Sequence, residues 1–214
     1  MLQSVLDLVR PALAPAFTAW GAPVTWIEVV AFGVSLWMVG CEMRVHPLAW
    51  PLAMLSSLAY ALVFADSKLY AEGSLQLFFV AMSLWGWWQW RRGRGDDGAA
   101  LVVHALTPRK AGLAIAATLL AWPLVAWLLI RWTDSTVPWL DALPTVGSML
   151  GTWLMGRKFI ESWWTWIAVN AFSVLLFGYK QLWLTVILYA LFTLLSVAGL
   201  RSWRPLRGHV DARH

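Results

Sequence analysis

Residues 111–130 read AGLAIAATLLAWPLVAWLLI, twenty positions without one ionisable side chain. A hydrocarbon layer about 30 Å thick is crossed by about 20 helical residues rising 1.5 Å each. A surface helix of a soluble domain would carry a polar face, and this run has none. It reads as a transmembrane helix that tolerates lipid on all sides. Working outward, apolar runs bounded by charge or proline recur at 24–43, 48–65, 69–90, 139–156, 162–179 and 182–203. The expectation is an all-α integral membrane protein with seven transmembrane helices. The run at 139–156 is the least apolar, because Asp141, Pro144 and its glycines interrupt it. It can span only if neighbouring helices satisfy its broken backbone.

Composition agrees. Of 214 residues 60% are hydrophobic and only 13% charged, against about 25% charged in soluble domains. Mean hydropathy is +0.65. Eighteen tryptophans suit membrane interfaces, where the ring is apolar and the N–H finds a partner. A net charge of +5 could serve nucleic acid, but the basic residues stand at the ends of apolar segments, so no nucleic-acid partner is expected. Cys41 is the single cysteine, which excludes an intrachain disulfide. The opening 23 residues lack the basic start and compact apolar stretch of a signal peptide. Broken by Asp7, Arg10, Pro11 and Pro15, they read as an interfacial arm.

Orientation follows from lysine and arginine on alternate sides. One side carries Arg44, Arg91, Arg92, Arg94, Arg109, Lys110, Arg157, Lys158, Arg201, Arg204, Arg207 and Arg213; the other carries Arg10, Lys68, Arg131 and Lys180. Positive residues collect in the cytoplasm, so the N-terminus is expected outside and the C-terminus inside. A multi-pass position in the plasma membrane is the expected location.

The sequence also repeats. Residues 44–91 laid on 157–204, at a constant offset of 113, give eleven identities in 48 positions. Among them are Arg44/Arg157, Trp50/Trp163, Leu69/Leu182, Ser83/Ser196, Gly86/Gly199 and Trp90/Trp203. The expected plan is 3+1+3, two parallel three-helix bundles joined by one linker helix. It comprises an arm at 1–23, a first bundle at 24–90, a basic loop and linker helix at 91–138, a second bundle at 139–204 and a tail at 205–214. Transporters use such repeats, with the solute bound near mid-membrane.

Candidate binding residues cluster at the start of the sixth span. Trp163, Trp166 and Asn170 stand at i, i+3 and i+7 and share a helix face. An aromatic face beside a buried amide suits a flat ring with a polar edge; the alternative is an interfacial belt plus an amide bonding a neighbouring helix. The repeat counterparts are Trp50, Ala53 and Ser57, so the two halves would offer an asymmetric site. Gln76 and its counterpart Tyr189 are further candidates for hydrogen bonds to a solute. Glu28, Glu72 and Asp141 lie near outer span ends, where hydrated acids are common. All four histidines (46, 104, 209 and 214) fall in loops or the tail. No metal spacing, phosphate loop or nucleophile elbow occurs, so no catalytic site, metal or cofactor is expected.

In Glu161-x-Trp163-x-x-Trp166-x-x-x-Asn170, Leu69-Tyr70 with Leu75-Gln76-x-x-Phe79, Trp85-Gly86-Trp87-x-x-Trp90 and Leu182 through Trp203, the chain resembles the PnuC family of bacterial vitamin transporters. The resemblance covers roughly residues 24–204. It implies a fold similar to the sugar-transporting SWEET family, homotrimers in membrane lipid, and facilitated diffusion of nicotinamide riboside, trapped by cytoplasmic phosphorylation. It also implies thiamine or riboflavin as alternative cargo. A non-transporting membrane scaffold subunit is the alternative from a different class. Trp85 stands where the family commonly has Tyr, and the His46-Pro47 pair also departs from its pattern.

Overall fold

A computed structural model of the chain describes residues 10–19, 21–66, 70–95, 98–133, 135–179, 181 and 183–207. Lys68, Leu69, Lys180, Leu182, His209, Arg213 and His214 lie outside the described residues, as does the arm before Arg10. A short hairpin, β1 (Pro15–Ala19) against β2 (Ala22–Thr25), leads into seven helices among the described residues. These are α1 (Trp26–Met43), α2 (Ala49–Asp66), α3 (Tyr70–Arg92), α4 (Pro108–Trp132), α5 (Pro138–Gly156), α6 (Glu161–Tyr179) and α7 (Trp183–Arg207). Every bound falls within four residues of the corresponding apolar run. The chain divides into two compact units between Trp87 and Trp88.

The helices have legible starts. Thr25 and Glu28 form a capping box: the Thr25 N–H donates to Glu28 Oε2 at 2.7 Å, and the Glu28 N–H to Thr25 Oγ1 at 3.4 Å. At α5, Pro138 fills the first turn and Asp141 accepts from Ser135 Oγ at 2.6 Å. Two of the acids near span ends, Glu28 and Asp141, thus sit in first turns, where carboxylates favour the helix dipole. Among the described residues α1, α2, α4 and residues 185–207 of α7 are both long and apolar enough to cross a membrane. The others are 19 to 23 residues long and fall short on apolarity. α3 is diluted by Gln76, Gln89 and a terminal arginine pair, α5 by Asp141, Thr145 and Ser148, and α6 by Glu161, Asn170 and serines.

The turns after α1 and α5 share two equivalent backbone hydrogen bonds at the offset of 113. Val45 N–H donates to Glu42 O at 3.0 Å, and Lys158 N–H to Met155 O at 2.9 Å; His46 N–H donates to Cys41 O at 2.9 Å, and Phe159 N–H to Leu154 O at 3.0 Å. Val45 (φ 54°) and Lys158 (φ 57°) both take the left-handed conformation, which is rare for a β-branched residue such as valine. The packing that follows also matches. Trp50, 2% exposed, lies flat on Gly86, and Trp163, 1% exposed, lies on Gly199. In both places a Cβ on the glycine would overlap the indole.

Within the second unit, residues 101–106 are stitched to the α5–α6 turn. His104 N–H donates to Lys158 O (3.2 Å), Ile160 N–H to His104 O (3.0 Å), and Leu106 N–H to the Glu161 carboxylate (3.1 Å). Lys158 Nζ donates to Leu101 O at 2.9 Å and stands 5.4 Å over the Trp90 ring. Its burial pushes the ammonium below the usual lysine range. Helix α4 packs on α5, yet Leu113, Ile115, Leu119, Leu120 and Leu124 remain exposed, as a lipid-facing helix requires.

Candidate functional site

Helix α6 carries the expected aromatic and amide residues, and its neighbours divide them between two seams. The first faces α7. Trp163 meets Gly199 and stands edge-on to Trp203, with ring centroids 5.6 Å apart. One heptad on, Asn170, 6% exposed, donates from Nδ2 to Ser196 Oγ at 3.2 Å. A heptad further, Phe177 stacks on Tyr189, with centroids 5.2 Å apart and planes 14° apart. The second seam faces α5, whose Gly147 and Gly151 are four residues apart. Gly147 meets Val169, and a Cβ on Gly151 would come within 3.0 Å of the Trp166 ring. Small residues at this spacing let membrane helices approach closely. Trp166 therefore lies along a glycine, half-buried, while Trp163 is wholly enclosed.

The hydrogen-bond chain fixes the orientation of the Asn170 amide. Ser196 Oγ donates to Phe192 O at 2.7 Å, so its hydroxyl proton is spent and it meets Asn170 as an acceptor. The amide atom facing it must be the nitrogen. The carbonyl oxygen is then the acceptor Asn170 offers elsewhere. One helical turn on, Ser173 is 0% exposed, and its Oγ has no hydrogen-bond partner among the described residues. The same holds for the Trp163 Nε1–H. Buried polar atoms without partners cost about 1–3 kcal/mol each and seldom persist without a use. Ser173 was not anticipated from sequence; its spacing of three from Asn170 was the available signal.

The remaining candidates belong to the first unit. Trp50 is enclosed on Gly86, and Ser57 and Gln76 are half-buried in α2 and α3. The residue before Ser57 makes the interhelical bond: Ser35 Oγ and Ser56 Oγ lie 2.8 Å apart, and Ser35 also donates to Ala31 O at 2.9 Å. Glu72 lies in α3, with its side chain outside the described residues. A separate groove of about 610 Å³, between α4 and α5, holds none of the expected binding residues.

The chain resembles known proteins over nearly its whole length. It is 25% identical to the nicotinamide riboside transporter PnuC of Escherichia coli over 209 residues, covering 86% of this chain and 87% of that one. It is 28% identical to the riboflavin/roseoflavin transporter RibM of Streptomyces davaonensis over 200 residues, covering 92% and 93%. A crystal structure of the vitamin B3 transporter PnuC superposes with a TM-score of 0.70 at 23% identity, over 97% of this chain and 90% of that one, which shows that the two share an all-α fold. These relatives are transporters, not enzymes. With residues 25–205 matching the family described as nicotinamide mononucleotide transporter, the chain belongs to the PnuC family of membrane vitamin transporters.

Proposed function

We propose that the protein imports nicotinamide riboside by facilitated diffusion, as a uniporter working by alternating access, with cytoplasmic phosphorylation trapping the cargo. The observation that carries this reading is the α6 stripe, where Trp166, Asn170 and Ser173 combine an aromatic face with polar atoms at depth. Nicotinamide riboside is a pyridinium with a carboxamide and a ribose. A cation over tryptophan gains about 0.5–2 kcal/mol as it is desolvated, and the Asn170 carbonyl suits an amide N–H or a hydroxyl. The phosphorylated form fits less well: α6 has no lysine or arginine, and α7 has none before Arg201, whereas phosphate recognition calls for such residues. Tyr189, Gln76, Trp50, Trp163 and Ser57 complete the proposed set of binding residues. The matched turns and tryptophan–glycine seats support a 3+1+3 parallel repeat, and a homotrimer is the proposed assembly.

Riboflavin is the second reading, because identity to RibM, at 28%, exceeds the 25% to the riboside transporter. Liposomes holding the purified protein separate these. Saturable uptake of nicotinamide riboside, with little of its 5′-phosphate, thiamine or riboflavin, is expected without an ion gradient. Saturable riboflavin flux alone would transfer the assignment, and no flux of any of the four would end it. The charge distribution further supports an N-terminus outside the cell and a C-terminus in the cytoplasm. A reporter active only in the cytoplasm should therefore work when fused after residue 207 and fail before Arg10; activity at both ends would overturn this.

A further inference from the structure

Residues 11–27 read PALAPAFTAWGAPVTWI, without a single charge. Within this stretch β1 and β2 close a hairpin in the register Pro15↔Thr25, Phe17↔Val24, Thr18↔Pro23 and Ala19↔Ala22. Gly21, at φ 81°, holds the left-handed conformation of the turn, which a side chain would strain. The hairpin is also fastened to α1. Trp26 N–H donates to Ala14 O at 3.2 Å and Ile27 N–H to Ala12 O at 2.9 Å. With the Glu28 N–H donating to Thr25 Oγ1, the first three N–H groups of α1 all have partners in this segment. The Glu28 carboxylate accepts from the Thr25 N–H and from its hydroxyl, each at 2.7 Å. Hairpin and helix start therefore form one internally hydrogen-bonded body.

Its exposed groups are apolar. Phe17 is 53% exposed, and Val24, paired with it, shares its face of the ladder. Trp26, Val30 and Trp37, at i, i+4 and i+11, continue as an exposed stripe along α1. Because α1 is long and apolar enough to cross a membrane, that stripe faces lipid, and Trp26 stands at its end. We propose that the hairpin lies in the interfacial layer of the bilayer where α1 begins, with its Phe17–Val24 face turned to the acyl chains beside Trp26. The inference rests on α1 crossing the bilayer and is independent of which solute is carried. Lipid excludes backbone groups without partners, and the ladder and the bonds onto α1 supply those partners. Charge is costly at depth, and residues 11–27 bring none. A two-stranded hairpin is marginal in water, whereas apolar side chains hold such an element at the boundary of headgroups and acyl chains. A soluble partner would find no charge here to recognise.

Fluorescence of the full-length protein in phosphatidylcholine vesicles tests this. Cys41 is the single cysteine, so Cys41→Ala with Phe17→Cys allows an environment-sensitive fluorophore to be attached at position 17 alone. Its emission should shift to the blue of the free dye in water. A nitroxide near the head of the acyl chain should quench it about twofold more than one near the chain's end, and iodide in the water should quench it weakly. Gly21→Val in the same background strains the turn and opens the ladder, so the label should shift to the red and lose most of its quenching by lipid. Gly98→Val, at the other left-handed glycine among the described residues (φ 77°), strains a turn elsewhere and should change neither reading. Quenching by iodide and by neither nitroxide lipid would put the hairpin in water and overturn the proposal. A blue-shifted label that no quencher reaches would overturn it as well, since a second copy of this chain would then cover the face. So would lipid quenching that survives Gly21→Val, because the folded hairpin would then not be what seats position 17.

Discussion

Gly199→Ala should be among the most damaging single-methyl changes in this protein. The Trp163 indole lies on the Gly199 backbone where a Cβ would have to go, and Trp163 is itself held by Trp203. Neither ring can step aside, because Trp163 is 1% and Trp203 0% exposed. Overpacking a tight core costs about 1–3 kcal/mol and occasionally more; with a rigid aromatic on the receiving side the upper end is expected. At this size, about 3 kcal/mol corresponds to a fall of roughly 6–12 °C in melting temperature. Gly33→Ala is the control: it lies in α1 with nothing within 4 Å of the added carbon, and alanine favours the helix, so it should be neutral or slightly stabilising. Trp163→Leu alone leaves a void and should also destabilise. Combined with Gly199→Ala it should cost clearly less than the two changes added, since the new methyl occupies part of that void. Strict additivity in thermal unfolding would refute the seat. Gly86→Ala, beneath Trp50, should behave like Gly199→Ala.

How much of this was legible beforehand depended on whether the controlling contact was local. Helix positions followed from apolar run length, because span length is a property of a short stretch. The Trp50/Trp163 and Gly86/Gly199 matches were visible as identities. That each tryptophan rests on its glycine, 36 residues away, was not, since nothing in either segment names its partner. The α6 face shows the same limit. Spacing alone put Trp163, Trp166 and Asn170 on one stripe. Whether that stripe is shared between two neighbours depends on where α5 and α7 lie, and it is: Trp166 meets Gly151, whereas Asn170 meets Ser196. The α1–α2 serine contact was hidden for a similar reason. The repeat register singled out Ser57 as a binding candidate, and nothing in α2 alone shows that its neighbour Ser56 meets Ser35 on α1. The stitching of residues 101–106 onto the α5–α6 turn uses a backbone group of that segment in every bond, and such groups carry no sequence signature.

Asn170 and Trp166 supply the decisive test of the binding site. Asn170→Ala removes an acceptor proposed for the cargo and one donor to Ser196. Ser196 keeps its own bond to Phe192 O, so the helix seam loses a single neutral hydrogen bond, about 0.5–1.5 kcal/mol. The cargo loses its partner as well and leaves a polar edge unsatisfied, about 1–3 kcal/mol. Affinity for nicotinamide riboside should therefore fall roughly tenfold, since 1.4 kcal/mol is one decade, while the melting temperature falls by only a few degrees. Trp166→Ala should lower affinity at least as far, through lost stacking and apolar contact. It should also leave a void over Gly151, so its effect is read against Gly151→Ala, which crowds the ring while keeping it in place. Ser196→Ala separates the two roles of Asn170. If Asn170 serves the cargo, Ser196→Ala frees the amide to turn and weakens binding less than Asn170→Ala does. If Asn170 only joins α6 to α7, both changes lower the melting temperature alike and leave binding at the wild-type value, and the site then has to be sought elsewhere.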